Sequence, residues 1–162
     1  MSETRDIDSA ASNRDRDFAL WAMIIQTRDI LFRARDNELS QYGITAVEAR
    51  ALFVVNLIGD SSTPAMISKL LMRGHNTVTA LLTRMESKGL IIRTKDPVKK
   101  NTWRIGLTDK GIAAYHDSLV RQTIHEVFSV LSEEERELLI NSLQKISNRT
   151  LEYMTEILAT TY

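Results

Sequence analysis

The chain has 162 residues, of which 43% are apolar and none is cysteine. This length suits one compact domain, or a small module with an extension, and the apolar content is sufficient for a packed core. Without cysteine, disulfides, thiolate metal sites and iron–sulfur clusters are excluded. No charge-free apolar stretch approaches the roughly 18 residues that a transmembrane helix needs. We therefore expect a cytoplasmic protein that has no membrane partner.

The N-terminal segment divides into a charged part and an amphipathic part. Residues 1–16 are rich in aspartate and arginine and contain few apolar side chains, which excludes a signal peptide and predicts a disordered tail. Residues 17–44 place Phe18, Trp21 and Phe32 on one wide apolar stripe of a long helix. A stripe of this width needs more than one neighbour, so we expect a dimerisation helix.

Two helix starts follow, each with its own capping signal. Thr45 and Glu48 have the spacing of a capping box, in which each side chain accepts a hydrogen bond from the backbone amide of the other residue. This helix extends to about Leu57. The next helix begins at Thr63 and Pro64, an N-cap followed by proline at the first helical position.

The helical period then gives way to the alternation of a β-hairpin. A fourth helix covers about 76–88 and ends before a glycine. Strands are predicted at 90–95 and 102–107, where apolar and polar side chains alternate. Two further helices are predicted, one over about 108–130 and one from about residue 132 nearly to the C-terminus.

This order of elements predicts a mainly α fold with a small β-hairpin wing. Two short helices joined by a tight turn and followed by a basic hairpin form a winged helix-turn-helix over 45–107. The long helices of 17–44 and 108–162 have apolar faces too extensive for this small domain to cover. We therefore expect these flanking helices to be dimerisation helices that pair with a second copy of the chain.

The formal net charge is zero, but the charges are unevenly distributed along the chain. Residues 63–105 contain nine basic and two acidic side chains, a surplus of +7, so the remainder of the chain carries −7. A basic middle between acidic flanks favours a polyanionic partner. Chance asymmetry is the alternative, and it would produce a milder difference.

The predicted fourth helix has the side chains of a DNA recognition helix. Its outer face is short and polar, which suits a major groove about 12 Å wide. Asn76 is a candidate for reading adenine, and Arg84 for guanine or phosphate, while the free amides at the helix start favour a phosphate. The alternative is an ordinary half-buried helix with a polar outer face. The predicted contacts are Arg73, His75, Asn76, Thr77, Thr79, Ala80, Thr83 and Arg84.

The predicted hairpin carries a second group of basic side chains. They would bind backbone phosphates or enter a minor groove. The alternative is a solvated turn, where exposed lysines are common. The predicted wing contacts are Lys95, Lys99, Lys100 and Arg104.

Three segments resemble the MarR family (multiple antibiotic resistance regulators): Thr63–Leu71, Asn76–Arg93 and Gly106–Gly111. The similarity covers roughly residues 17–158 and is most specific from the recognition helix to the Leu-Thr-x-Lys-Gly start of the fifth helix. It implies a dimer held by the first and the last two helices, which binds a near-palindromic operator of double-stranded DNA, usually as a repressor. In many members a small, often aromatic ligand lowers DNA affinity.

The sequence departs from the family at the wing tip. Members usually carry Asp-x-Arg there, and the pair orders the loop while the arginine enters the minor groove. The corresponding places hold Lys99 and Asn101. We therefore expect a more mobile wing, whose minor-groove contact passes to Lys100 or to no residue.

A regulatory ligand would bind between the dimerisation helices and the winged domain. Trp21, Arg28, Phe32, Phe53 and Met66 could line such a cleft. Aromatic and methionine side chains at helical spacing are more often plain core, so the ligand-binding residues stay unknown.

Other chemistry has little support in the sequence. The three histidines are scattered, so no metal site is expected. Phosphate-cradling glycine loops, nucleophile elbows and paired metal motifs are absent, so we expect neither an enzyme nor a cofactor. The alternative function is a winged-helix module for protein–protein assembly, which would require an apolar, charge-poor outer face on the fourth helix.

Overall fold

The structure is a computed structural model that describes residues 3–99 and 101–160. The chain forms two compact units, which divide between Arg121 and Gln122. The described part is mainly helical with one two-stranded antiparallel sheet, as the sequence predicts. None of the described helices is long and apolar enough to cross a membrane.

The first helix, α1 (Glu3–Ser40), begins well before residue 17, where the sequence pattern places its start. The sequence predicts a disordered tail over 1–16; residues 3–16 are helical in the structure, and residues 1 and 2 lie outside the described ranges. The physical reason is local. The added segment contains neither glycine nor proline, the two residues that oppose helix formation most strongly.

Three helices follow in the predicted order: α2 (Ala46–Ile58), α3 (Pro64–Leu71) and α4 (His75–Ser87). The capping box at Thr45 and the N-cap at Thr63 are both present. These helices share one apolar core with the end of α1 and the hairpin, and each large side chain buried there contributes about 1.5–3 kcal/mol. The largest fully buried apolar side chains are Leu39, Leu52, Ile67, Leu71, Leu82, Met85 and Ile105.

The hairpin consists of β1 (Ile91–Lys95) and β2 (Trp103–Leu107), which pair so that the first residue of β1 lies opposite the last residue of β2. Ile91 and Ile105 are buried in the core. The backbone amide of Ile105 also donates to the carbonyl oxygen of Ser62 at 2.9 Å. The base of the wing is thereby joined to the segment that precedes α3.

The next helix, α5 (Asp109–Ser118), begins against the chain that leaves α4. The Thr108 hydroxyl and the Lys110 ammonium donate to the two carbonyls that follow α4, at 2.6 and 2.8 Å. A Cβ atom at Gly111 would lie 1.9 Å from the carbonyl oxygen of Leu90. The Leu-Thr-x-Lys-Gly motif therefore reflects a close packing of backbone on backbone.

The single helix predicted over 108–130 is two helices in the structure. The first, α5, ends at Ser118, and α6 (Gln122–Phe128) begins four residues later. The Arg35 guanidinium donates to the carbonyl of Ser118 and, at 2.6 Å, to that of Val120. Carbonyls at a helix end lack helical partners, so these bonds stabilise the break. The chain divides into its two units close to this break, so α5 belongs to the first unit, and its predicted part in dimerisation stays a prediction.

The second unit contains α6 and α7 (Glu133–Thr160). A capping box begins α7, since the Ser132 amide donates to Glu135 at 2.8 Å and the Glu135 amide to the Ser132 hydroxyl at 3.3 Å. No side chain described in this unit is fully buried. Its exposed apolar residues include Leu138, Leu139, Leu143, Ile146, Leu151, Met154 and Ile157.

Gly111→Ala tests the close packing at the start of α5. We expect the free energy of unfolding to fall by about 1–3 kcal/mol, because the added methyl group meets rigid backbone. Gly106→Ala is the matched control, because its Cβ atom would lie 3.5 Å from a side-chain methyl group of Ile92, an ordinary contact. Urea unfolding of both full-length variants measures the difference, and equal stabilities would contradict the packing.

Candidate nucleic-acid interface

The outer face of α4 has the small and polar side chains that the sequence predicts. The apolar residues of the helix are buried on the opposite face: Val78, Leu81, Leu82 and Met85. The one carboxylate of α4, that of Glu86, lies in its last turn. The exposed members of the predicted contact set are His75, Asn76, Thr77, Thr79, Ala80, Thr83 and Arg84, and Arg73 is half-buried. The protein–protein alternative requires an apolar face, which this helix lacks.

The N-terminus of α4 is open to solvent. Met72 takes a left-handed conformation with φ of 52°, and Gly74 is the N-cap. Within the described chain no side chain caps this helix. Its first amides therefore lack partners within the helix, and Arg73 precedes them. This end of α4 has the geometry and charge that favour an anion.

Glu48 connects α2 to α4 through a carboxylate that is fully buried. Its Oε1 accepts a hydrogen bond from Arg84 Nε at 2.9 Å. Its Oε2 accepts from Lys88 Nζ and from the backbone amide of Thr45, each at 2.9 Å. Burial raises the pKa of Glu48, but the hydrogen bonds from Lys88, Thr45 and Arg84 outweigh it and hold the pKa below its usual value.

The sequence predicts the capping box of Glu48 but does not indicate its contact with α4. The available signal was the spacing of Arg84 and Lys88, which lie four residues apart and therefore on one side of the helix. Two adjacent cations on a partly buried helix indicate a nearby anion. The sequence alone does not show which carboxylate that is.

Arg93 joins the wing to the recognition helix. From β1 its Nη2 donates to the Thr83 hydroxyl at 2.8 Å, and its Nε lies 3.1 Å from Glu86. The Thr83 hydroxyl donates in turn to the carbonyl of Thr79 at 3.0 Å. The hydroxyl proton of Thr83 is therefore engaged within the protein, and what Thr83 offers a ligand is its methyl group and a remaining lone pair.

The turn of the wing is ordered by Asp96, whose side chain is buried. Its Oδ1 accepts from the amides of Val98 and Lys99, and its Oδ2 accepts from Arg104 Nε, all at 2.8 Å. The amide hydrogen bonds, followed by the Arg104 guanidinium, hold the pKa of Asp96 below its usual value. Arg104 Nη1 also donates to the carbonyl of Asp60 at 2.5 Å.

This arrangement corrects one expectation from the sequence. The wing does have an ordering ion pair, although the family's usual positions hold Lys99 and Asn101, because Asp96 and Arg104 supply one across the hairpin. Arg104 therefore uses its Nε and Nη1 within the protein, and its predicted phosphate contact stays a prediction. Lys95 places its ammonium 3.9 Å from the centre of the Trp103 ring. Lys99 is exposed, and Lys100 lies outside the described residues.

Ion pairs within the protein use part of the basic surplus. The buried Glu48 pairs with Arg84 and Lys88 of α4. The two arginines of the hairpin each pair with one carboxylate, Arg93 with Glu86 and Arg104 with Asp96. In the segment 63–105, the described basic side chains outside ion pairs are Lys69, Arg73, Lys95 and Lys99. These four come from α3, from the turn before α4 and from the wing.

The side chains considered for a ligand cleft are not plain core in the isolated chain. Trp21, Phe53 and Met66 are 57%, 44% and 42% exposed. The Arg28 guanidinium lies 5.0 Å from the centre of the Phe32 ring. Among the described residues, no cluster of three or more histidines and carboxylates could hold a metal ion.

Comparisons with known proteins agree with this geometry. A sequence profile described as MarR family matches residues 42–100. The HTH-type transcriptional regulator MhqR of Bacillus subtilis (strain 168) is 26% identical over 113 residues, which are 68% of this chain and 77% of MhqR.

Two solved structures are similar to this chain in both fold and sequence. The organohalide-sensing RdhR-CbdbA1625 transcriptional regulator, in its 2,4-dichlorophenol-bound form, has a TM-score of 0.79 and 30% identity, covering 83% of this chain and 81% of that one. The S. aureus MepR–DNA complex has a TM-score of 0.71 and 30% identity, covering 82% of this chain and 96% of that one.

Asp96→Ala tests whether the buried carboxylate orders the wing. We expect the amides of Val98 and Lys99 to exchange with solvent roughly three- to tenfold faster, because each loses its hydrogen-bond acceptor. Hydrogen exchange of the full-length chain measures this, with Asp109→Ala on α5 as the control. Unchanged exchange at both amides would show that the turn is held by other contacts.

Proposed function

This chain belongs to the MarR family, and from that premise we propose that it is a homodimeric regulator of transcription that binds double-stranded DNA through α4 and the wing. The observation that carries the proposal is the outer face of α4. This face is exposed, short and hydrogen-bonding, it has an open N-terminus, and cations without an ion pair occur in the elements before and after α4. A duplex with a wide groove between two rows of phosphates fits such a face.

Each group of residues has its own role in this proposal. Asn76 reads a base edge in the major groove, where an amide can pair with adenine. The open helix end beside Arg73 and the exposed Lys99 bind phosphates. Lys100 and Arg104 keep this role from the sequence alone. The MepR–DNA complex supports this assignment as a relative that binds DNA.

Dimerisation is supported by apolar surface that the isolated chain leaves uncovered. On α1, Phe18 and Trp21 are 68% and 57% exposed, and on α7 Leu138 is 67% exposed. Soluble monomers rarely leave so many large apolar side chains in contact with water. We propose that a second copy covers them, and that the dimer represses from a near-palindromic operator whose half-sites lie about one helical turn apart.

The regulator is further proposed to release its operator when a small aromatic ligand binds. The structure of RdhR-CbdbA1625 with 2,4-dichlorophenol supports this, because that relative binds a small aromatic compound. The exposed Trp21 and Phe53 are surfaces on which such a ring could pack. We assign no catalytic step and no cofactor, and we place the protein in the cytoplasm.

The salt dependence of binding tests the DNA assignment. We expect the logarithm of the association constant to fall with the logarithm of salt concentration with a slope of about −0.9 for each neutralised phosphate, several units in total. Fluorescence anisotropy with labelled genomic fragments measures it for the full-length protein. Absence of binding at low salt, with palindromic fragments included, would sink the proposal.

Asn76→Ala and Lys99→Ala separate base reading from phosphate binding. Asn76→Ala should weaken binding to the preferred fragment by about 1–3 kcal/mol and reduce the preference over other sequences. Lys99→Ala should weaken binding to all sequences alike and lower the salt slope by about 1. Competition titrations at two or more salt concentrations distinguish the two patterns, and a uniform loss from Asn76→Ala would show that it contacts the backbone.

A further inference from the structure

Arg84 is held at one end and free at the other. Its Nε donates to the buried Glu48 carboxylate at 2.9 Å, while 52% of its side chain stays exposed on the outer face of α4. Its terminal nitrogens have no hydrogen bond to any residue in the described ranges. The guanidinium is planar, so fixing Nε fixes the plane in which the terminal N–H groups project.

We propose that Glu48 is a positioning residue for DNA recognition, which fixes the guanidinium of Arg84 so that its free edge faces the DNA. The inference rests on the proposed function of α4. A flexible arginine loses rotamer freedom when it binds a phosphate or a guanine, and this loss weakens binding. An arginine already held by a buried carboxylate loses less.

Lys88 makes this arrangement compatible with a polyanion. Its ammonium shares the Glu48 carboxylate with Arg84, at 2.9 Å from Oε2. The cluster of one carboxylate and two cations therefore has a net charge of +1. Arg84 keeps its attraction for phosphate although its partner is an anion.

If Glu48 positions Arg84, the substitution Glu48→Gln changes DNA affinity in the direction opposite to that expected from charge alone. A carboxylate close to DNA repels phosphates, so by charge alone Glu48→Gln should tighten binding. If Glu48 holds Arg84 in place, the same substitution should weaken binding. Glutamine can still accept the Thr45 amide in the capping box, so the start of α2 is preserved.

The experiment compares operator affinity for the full-length wild type, Glu48→Gln and Asp60→Asn. Asp60→Asn is the control, because it removes an exposed carboxylate that does not touch Arg84 and keeps the backbone carbonyl that accepts from Arg104. On the preferred fragment, found by selection from genomic DNA, we expect Glu48→Gln to bind roughly three- to tenfold more weakly. Asp60→Asn should bind equally or more tightly. Equal or tighter binding by Glu48→Gln would overturn the proposal.

A double-mutant cycle separates positioning from a general structural effect. In an Arg84→Lys background, which keeps the charge but lacks the fork of donors, Glu48→Gln should cause no further loss. An undiminished loss would overturn the proposal, because Glu48 would then act through the fold. The Arg84→Lys variant itself should bind DNA severalfold more weakly than the wild type. If it binds as tightly as the wild type, the proposal is overturned, and this result does not depend on whether Glu48→Gln folds. Failure of the proposed function is distinct, because the wild type would then not bind the duplex.

Discussion

The buried carboxylate of Glu48 is the constraint on which the arrangement of the winged domain depends. An ionised group removed from water destabilises the fold by several kcal/mol unless donors surround it. Here the donors come from the amide of Thr45, from Arg84 and from Lys88, so α2 and α4 can pack only where all three reach the same two oxygen atoms. The register of the recognition helix is therefore set by a polar contact as well as by its apolar face.

The wing is positioned by the same kind of contact. Asp96 accepts hydrogen bonds from two amides of its own turn and from the guanidinium of Arg104. Arg104 also donates to the carbonyl of Asp60. The carbonyl of Ser62, in the segment before α3, also accepts a hydrogen bond from the amide of Ile105. The hairpin is therefore joined to this segment by more than one hydrogen bond. Recognition helix and wing are thus joined by hydrogen bonds, and a surface that is ordered before binding loses less entropy when it binds.

These contacts explain how a chain of zero net charge presents a basic face. Several cations of the middle segment neutralise carboxylates inside the fold, and the remaining ones lie around the start of α4 and on the wing. Affinity for a polyanion then depends on placement rather than on total charge. The acidic surplus of the chain lies outside residues 63–105.

Local signals in the sequence predict the helices, the hairpin and the outer face of α4. Caps at Thr45 and Thr63 and the change of period after α4 act between near neighbours, so they can be read without a structure. Contacts between distant residues cannot be read in this way. Glu48 and Arg84 are separated by 36 positions, and Arg35 reaches the end of α5 across 83. The ordering of the wing is not predicted for a related reason. Its ion pair, Asp96 with Arg104, uses positions other than those of the family's usual pair.

We propose that the outer face of α4 and the wing contact duplex DNA. Hydrogen exchange of the full-length protein, with and without a saturating preferred DNA fragment, tests this contact most directly. We expect added protection in His75–Ser87 and in the hairpin, with the strongest effect at the open N-terminus of α4. Protection confined to α6 and α7, with α4 and the hairpin unchanged, would contradict it.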